Sequence, residues 1–300
     1  MKASIVVPTL NEAELLPGLL DRLAAQTFRD FEVIVADAGS NDGTRELVRE
    51  RGLILTDGGL PGVGRNRGAA IARGDLLFFF DADVLPPPDF LEKAIAEMEE
   101  EGIRLATCWF DPDSDHPLDA LLFDLANLYV KLNLRTDPHA GGFAIFIERA
   151  LFEQISGFDE SLKLAEDHEL VKRAATQAPL HLLRSTRIRI NVRRLVKDGR
   201  FNYAGKCLRV ELYRLFHGEA TEAVVDYQFG YDSDHQHGQH NPILTRLRQG
   251  LTDWNQDYTD SLERLSQEVG QTTGLQEEQL HKLRERFDAL KEKVRRQLLG

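Results

Sequence analysis

The stretch FFFDADVLPPP, residues 78–88, joins three phenylalanines to two aspartates that stand one residue apart. The apolar run predicts a buried strand that ends at the first aspartate. Buried carboxylates are costly unless they are paired or bind a cation. On extended backbone, residues i and i+2 face the same way, so we expect Asp81 and Asp83 to converge on one point while Ala82 faces away. A solvated turn is the alternative interpretation of this tripeptide.

Two carboxylates at a strand end are hard oxygen ligands, which suit Mg²⁺ or Mn²⁺. Either ion usually keeps coordination positions for water and for substrate phosphates. At the edge of a sheet, such an ion would bind a diphosphate and neutralise it as a leaving group. The position of Asp81 and Asp83 therefore predicts a metal and diphosphate site.

Outward from this stretch, short apolar strands alternate with amphipathic helices. The predicted strands cover residues 4–8, 31–37, 53–57 and 75–81, and the predicted helices cover residues 12–26, 44–50, 64–73 and 89–101. This alternation predicts an α/β fold with a parallel sheet and right-handed crossovers. In such a sheet, ligands bind outside the carboxyl ends of the strands.

Polar residues collect at those carboxyl ends. The first strand ends in PTLNE (8–12), the second in DAGSNDGT (37–44) and the fourth in DAD (81–83). Turn or helix-capping roles suit Asn41, Asp42 and Thr44. Asp37 is harder to assign to a turn, because it directly follows a buried strand.

Composition excludes several classes of protein. A net charge of −12 over 300 residues argues against binding to nucleic acid. The two cysteines, Cys108 and Cys207, form no CxxC motif, which suits a reducing cytosol. The N-terminal apolar run is too short for a secretion signal, and no run reaches the roughly 18 apolar residues of a spanning helix. We therefore expect a cytoplasmic protein, and a peripheral contact with the inner face of the membrane stays open.

Five segments together resemble the nucleotide-sugar domain of the family 2 glycosyltransferases. They are SIVVPTLNEAELLPGLLDRL (4–23), FEVIVADAGSNDGT (31–44), GRNRGAAIARGDLLFFFDAD (64–83), HAGGFAIFIERALFEQISGFDE (139–160) and LAEDHEL (164–170). The resemblance covers about residues 2–200, in the order and spacing of the family. It implies a GT-A fold, a divalent metal, a nucleotide-diphosphate sugar donor and, usually, inversion at the anomeric carbon.

The resemblance also implies roles for matching positions on the donor side. The implied nucleotide-sugar contacts are Pro8, Thr9, Glu12, Asp37, Arg65, Asn66, Asp81, Ala82 and Asp83. Asp37 would accept a hydrogen bond from the base, and Asp83 would be the more direct metal ligand. For Arg65, a solvent-facing position at a helix start is the alternative.

The acceptor side follows from the last two segments. Gly141 and Gly142 predict a tight turn that runs into a buried strand, compatible with the acceptor-side loop of the family. Glu166 and Asp167 begin a predicted helix, where acids commonly serve only the helix dipole. The resemblance implies instead that Asp167 is the general base. His168 stands where the family often has an acid, and we expect it to assist the base or to contact the acceptor.

Two further segments allow two interpretations each. The apolar helix predicted at residues 117–134 either packs on the core or faces a lipid-linked acceptor or the bilayer surface. The basic run at residues 184–200 is either a solvated strand face or a site for diphosphate or anionic lipid.

The chain is predicted to divide into a catalytic domain (1–218), an acidic, histidine-rich linker (219–241) and a helical hairpin (242–300). His235 or His237 could complete the metal site, although a flexible polar linker is the commoner explanation for such histidines. Apolar stripes on both hairpin helices predict self-association into a homo-oligomer.

The leading functional hypothesis is therefore a metal-dependent, inverting glycosyltransferase that acts on a glycan or lipid-linked hydroxyl. The rival hypothesis is a non-catalytic module that binds a nucleotide sugar or a partner protein. A nucleotidyltransferase of similar fold is less favoured, because no glycine-rich basic loop follows the first strand.

Overall fold

The structure is a computed structural model that describes residues 1–198, apart from the side chains of residues 117, 118, 121, 194 and 198. The predicted linker and helical hairpin, with His235 and His237, lie outside the described residues. The proposed division of the chain and its self-association therefore stay predictions.

The first half of the described chain forms the predicted parallel sheet. Its strands are β1 (Ala3–Thr9), β2 (Phe31–Asp37), β3 (Ile54–Asp57) and β4 (Leu76–Phe79), connected by helices α1 (Leu16–Ala24), α2 (Thr44–Glu50) and α3 (Pro61–Ile71). The strands lie in the order β3-β2-β1-β4, and every pairing among them is parallel. The carboxyl ends of these strands therefore meet at one edge, as the alternation predicts.

The second half extends the same sheet with mixed pairing. It comprises β5 (Val84–Leu85), α4 (Phe90–Glu100), β6 (Leu105–Pro112), α5 (Pro117–Asn133), β7 (Ile145–Glu148), α6 (Arg149–Gln154), α7 (Glu166–Ala175), β8 (Leu180–Ile190) and α8 (Arg193–Asp198). The order continues β4-β7-β6-β8-β5. Strand β7 is antiparallel to both β4 and β6, whereas β6 and β8 are parallel.

Strand β4 anchors the sheet through the phenylalanines on its two faces. Phe78 and Phe80 belong to the core on one face and both contact the Phe146 ring, with centroids 4.8 and 6.0 Å away. Phe79 packs into the core on the other face, 5.1 Å from Phe158. Full burial of a phenylalanine is worth about 1.5–3 kcal/mol, so these contacts fix the strand end that carries Asp81.

The backbone after β4 corrects one sequence expectation. The strand ends at Phe79, and residues 82 and 83 form a turn in which Val84 N–H donates to the Asp81 carbonyl at 3.4 Å. The extended backbone that was expected at Asp81 and Asp83 is therefore wrong. Ala82 is only 4% exposed and belongs to the core, so it does face away as predicted.

Helix α5 packs against the core with one side. Phe123 and Ala126 lie against the buried cluster. The Asn127 amide bonds the backbone of Phe110 in β6, donating to its carbonyl at 2.7 Å and accepting from its N–H at 3.2 Å. These contacts favour the core-packing interpretation. None of the helices within residues 1–198 combines the length and the apolar character needed to cross a membrane.

The exposed arginines of β8 are paired locally with carboxylates. The pairs are Arg184 with Glu97 and Glu101, Arg187 with Asp111, and Arg189 with Asp113. This pairing fits a solvated strand face, because the positive charges are balanced where they stand.

Candidate active site

Asp37 organises the loop at the end of β2. It is 1% exposed and accepts five hydrogen bonds: from the N–H groups of Gly39 and Ser40, the hydroxyls of Thr9 and Ser40, and the guanidinium of Arg45. Burial alone would raise the pKa of Asp37, but the hydrogen bonds from Ser40, Thr9 and Gly39 outweigh it and lower the pKa. The predicted contact of Asp37 with a nucleotide base stays a prediction, and it requires one of these bonds to give way.

The loop that follows Pro8 and Thr9, the last two residues of β1, is tied to the start of α2. The N–H of Glu12 donates to the Thr44 hydroxyl at 2.9 Å, and the N–H of Ala13 donates to Asp42 at 2.9 Å. Asp42 also accepts from the N–H of Thr44. Asp42 and Thr44 thus make turn and capping contacts, as the simpler interpretation of their sequence predicts.

Arg193 joins Glu12 to Asp83. Its two terminal nitrogens donate to the two carboxylate oxygens of Glu12 at 2.8 and 2.7 Å, and its Nε lies 3.4 Å from Asp83 Oδ2. Sequence reasoning placed Arg193 only within a basic run and did not select it as a site residue. The signal was present, because that run had diphosphate contact as one interpretation.

Arg65 joins Asp81 to Glu166. Its Nη1 donates to Glu166 Oε1 at 2.7 Å, and its Nη2 donates to Asp81 Oδ1 at 2.9 Å. The side chain is 3% exposed, so the expectation of a solvent-facing residue is wrong. The guanidinium carbon also lies 5.5 Å from the centre of the Phe158 ring. The buried guanidinium of Arg65 therefore pairs with one carboxylate on the predicted donor side and one on the predicted acceptor side.

Asn66 holds the segment before α7 rather than facing open space. Its Nδ2 donates to the Phe158 carbonyl and to Glu160, each at 2.9 Å, and its Oδ1 accepts from the Phe158 N–H at 2.8 Å. Its predicted nucleotide contact stays a prediction.

Glu166 and Asp167 open α7 directly after Ala165, whose φ of 59° is left-handed. Asp167 Oδ2 accepts from the Gly142 N–H at 2.7 Å, and Oδ1 accepts from the His168 N–H at 2.8 Å. Burial, and then the adjacent Asp167, raise the pKa of Glu166, although Arg65 opposes the shift. Glu166 thus pairs with the buried arginine, whereas its neighbour Asp167 accepts from two backbone N–H groups.

Gly142 lies in the turn between Asp167 and Arg65. The Gly141 carbonyl accepts from Ala144 N–H at 2.9 Å, which forms the predicted turn into β7. A Cβ at position 142 would lie 2.2 Å from Arg65 Nη2, so only glycine lets the guanidinium occupy this position.

His168 belongs to a row of rings beside Asp167. Its ring centre lies 5.0 Å from that of His139, which lies 4.8 Å from that of Tyr129. Tyr129 is 42% exposed on α5. The predicted contact of His168 with the acceptor stays a prediction.

The charge at this sheet edge fits a divalent cation. Five carboxylates accompany two arginines, Arg65 and Arg193, which leaves a formal charge of −3; the carboxylates are those of Glu12, Asp81, Asp83, Glu166 and Asp167. A divalent ion would reduce this charge to −1. Within the described part of the chain, no group of three or more His, Cys, Asp or Glu side chains is arranged to hold a metal. Asp81 and Asp83 would therefore need water or phosphate oxygens to complete the coordination.

Comparisons with known proteins address the family. The sequence model of Glycosyl transferase family 2 matches residues 4–155, about half of the chain. A validoxylamine A glucosyltransferase of Streptomyces hygroscopicus subsp. jinggangensis is 37% identical over 128 residues, which are 38% of this chain and 30% of that protein. A PGL/p-HBAD biosynthesis glycosyltransferase of Mycobacterium bovis is 34% identical over 175 residues, 55% of this chain and 66% of that protein. The chain thus spans less than two thirds of these relatives.

Solved structures address the fold. The mannosyltransferase PcManGT from Pyrobaculum calidifontis, in complex with GDP-Man and Mn²⁺, matches 69% of this chain and 64% of its own with a TM-score of 0.55 at 24% identity. S. aureus TarS 1-349 in complex with UDP-GlcNAc matches 64% of this chain and 58% of its own with a TM-score of 0.52 at 24% identity. These likenesses establish the GT-A fold. With the sequence match over residues 4–155, the chain belongs to glycosyl transferase family 2.

Proposed function

We propose that the chain is a metal-dependent, inverting glycosyltransferase that moves a sugar from a nucleotide-diphosphate sugar to a hydroxyl of a glycan or lipid-linked acceptor. The observation that carries this proposal is the pair of contacts of Arg65, which joins a carboxylate of the D-x-D turn to the Glu166–Asp167 pair. The residues that we assign to the diphosphate site and to the proton acceptor are thus linked by one side chain.

The donor side consists of residues that can bind a nucleotide and its diphosphate. Asp81 and Asp83 would hold Mg²⁺ or Mn²⁺, which would neutralise the departing diphosphate. Arg193, between Glu12 and Asp83, presents a guanidinium to the same region. Arginine suits phosphate because its fork of N–H donors matches two oxygens.

The acceptor side supplies the base. Asp167 is half-buried, and each of its oxygens accepts one backbone N–H, which fixes the orientation of the carboxylate. In a direct displacement, the acceptor oxygen bonds to the anomeric carbon while the bond from that carbon to the diphosphate oxygen breaks. The acceptor proton passes to Asp167. Because the acceptor attacks from the face opposite the leaving diphosphate in a single step, the anomeric carbon inverts and no covalent enzyme intermediate forms.

Structural relatives support the donor class but not the identity of the sugar. PcManGT was solved with GDP-Man and Mn²⁺, and TarS with UDP-GlcNAc. Both are below 25% identity to this chain, so the nucleotide is left to experiment.

The rival hypothesis is a non-catalytic module that binds a nucleotide sugar. It predicts the donor-side carboxylates but gives no reason for two adjacent acids, Glu166 and Asp167, beside them. The oriented carboxylate of Asp167 therefore favours the enzyme.

The proposal is tested by measuring the thermal stability of the full chain with nucleotide sugars, each with Mn²⁺ and with EDTA. At least one donor should raise the melting temperature only when the metal is present, and its hydrolysis should release nucleoside diphosphate. Asp83→Ala should abolish this metal-dependent stabilisation. Asp75→Ala is the matched control, because Asp75 is exposed just before the opposite end of β4. Unchanged nucleotide affinity in Asp83→Ala would contradict the metal assignment, and stabilisation without any turnover would favour the binding module.

A further inference from the structure

Arg65 lies where the two halves of the site meet. Its side chain is 3% exposed, and its two terminal nitrogens donate in different directions, to Asp81 at 2.9 Å and to Glu166 at 2.7 Å. Its Nε is buried and has no hydrogen-bond partner among the described residues. A buried arginine with an unsatisfied donor is costly, so its position calls for a physical reason.

Backbone contacts extend this link to Asp167. Gly142 packs so closely on the guanidinium that a Cβ would lie 2.2 Å from Nη2. The N–H of the same glycine donates to Asp167 Oδ2 at 2.7 Å. The guanidinium therefore supports the turn that orients Asp167, and it also holds Glu166, the neighbour of Asp167 in the chain.

We infer that Arg65 is a positioning residue that fixes the separation between the diphosphate-binding carboxylate Asp81 and the base Asp167, and that it does not contact the nucleotide. This inference rests on the proposed transfer reaction. A guanidinium spans the two carboxylates because its fork is planar and rigid, whereas the single ammonium of lysine reaches one carboxylate at a time. Misplacement of reacting groups by about 1 Å can cost about 10²-fold in rate.

Two substitutions test the link from opposite sides. Arg65→Lys keeps the positive charge but removes the fork. Gly142→Ala keeps the arginine but drives a methyl group into it, and the backbone at position 142 has no positive φ that would strain an alanine. Each variant should lower the turnover number for donor hydrolysis by about 10²-fold. Arg67→Lys is the matched control, because Arg67 is exposed on the same helix.

Nucleotide affinity distinguishes a positioning role for Arg65 from direct nucleotide contact, because only direct contact would lower affinity and turnover together. The affinity for UDP with Mn²⁺ and for GDP with Mn²⁺, measured by calorimetry, should be retained in Arg65→Lys for whichever nucleotide the unsubstituted protein binds. A fall in affinity that matches the fall in turnover would overturn the inference, because it would indicate direct nucleotide contact.

The double variant sharpens the test. A methyl group at position 142 would collide with Nη2 of Arg65, and Arg65→Lys removes that atom. Adding Gly142→Ala to Arg65→Lys should therefore lower the turnover number little further. Independent effects would instead multiply, and multiplied losses would overturn the inference.

A final measurement needs no turnover. Hydrogen–deuterium exchange of the peptide that covers residues 141–146 should accelerate in Arg65→Lys and stay unchanged in Arg67→Lys, because the Gly142 N–H loses its fixed contact with Asp167. Unchanged exchange in Arg65→Lys would overturn the inference. If the unsubstituted protein hydrolyses no nucleotide sugar, the proposed transferase fails, while the exchange result still decides the role of Arg65.

Discussion

The carboxylates of the donor side and the proposed base on the acceptor side have different hydrogen-bond partners. On the donor side, Asp37 receives five hydrogen bonds and has a lowered pKa, and Glu12 receives two hydrogen bonds from Arg193. On the acceptor side, Glu166 pairs with Arg65, and the pKa of Glu166 is raised, first by its burial. The donor-side carboxylates are thus bonded to arginines, whereas the carboxylate of the proposed base Asp167 accepts from backbone N–H groups that fix its orientation.

The largest effect on the rate of transfer is expected at Asp167, the proposed base. Asp167→Asn should keep donor affinity and lower single-turnover transfer by about 10²–10⁴-fold, because the amide retains the size of the side chain but does not accept the proton. Asp159→Asn is a suitable control, since Asp159 is an exposed acid in the segment before α7. A loss of less than about tenfold would move the base to another residue.

Arg65 and Arg193 should differ in how much their replacement lowers the free energy of unfolding. Arg65→Met should lower the free energy of unfolding by about 3–5 kcal/mol, because it leaves Asp81 and buried Glu166 without their cation. Arg193→Met should cost about 1.5–3 kcal/mol, because the side chain of Arg193 is 18% exposed and water can replace part of its contacts. Chemical denaturation of both variants measures the difference. Equal losses of unfolding free energy would show that the contacts of Arg65 and those of Arg193 are equally shielded from water.

The smallest effect concerns pH on the donor side. The folded pKa of Asp37 lies below its ordinary value of 3.8, so its contribution to stability is present above that value and is lost as the pH falls through the folded pKa. Asp37→Asn should therefore cost about 1.5–3 kcal/mol at pH 7, and this cost should shrink below about pH 3.8. Denaturant titrations across this range measure it.

Asp57→Asn provides the comparison for that titration. Asp57 also pairs with Arg45, but its side chain is 81% exposed. Its replacement should change stability by no more than about 0.5 kcal/mol at either pH. A cost for Asp37→Asn that does not vary with pH would show that its hydrogen bonds do not depend on ionisation.

The elements that sequence predicts well are those with local signals. FEVIVAD forms β2 with the predicted bounds, because its apolar run marks a buried strand, and α7 starts at Glu166 as predicted from its first-turn acids. Strand β6 had no assignment, and β8 entered only as a charged run, since these strands depend on partners far along the chain. The antiparallel pairing of β7 with β4 and β6 makes the sheet mixed, which no local pattern encodes.

The site residues show the same difference between local sequence signals and partners far along the chain. The D-x-D and Glu166–Asp167 carboxylates could be predicted because they stand at ends of secondary structure elements. The pairing of these carboxylates with arginines could not be predicted, because Arg65 meets Glu166 across 101 positions and Arg193 meets Glu12 across 181. A single sequence carries no local sign of such pairs, and Arg65 in particular looks like an exposed residue until the buried Glu166 is known.

The pairing of β6 with β8 bears on where this domain can be cut. The segment that matches the family, residues 4–155, stops before α7 and β8. A fragment with that boundary would lack Asp167 and Arg193, and it would leave β6 without its β8 partner along eight residues, from Leu105 to Pro112. An unpaired strand edge invites association with other chains, so such a fragment is expected to aggregate. The smallest autonomous unit must therefore continue through α8.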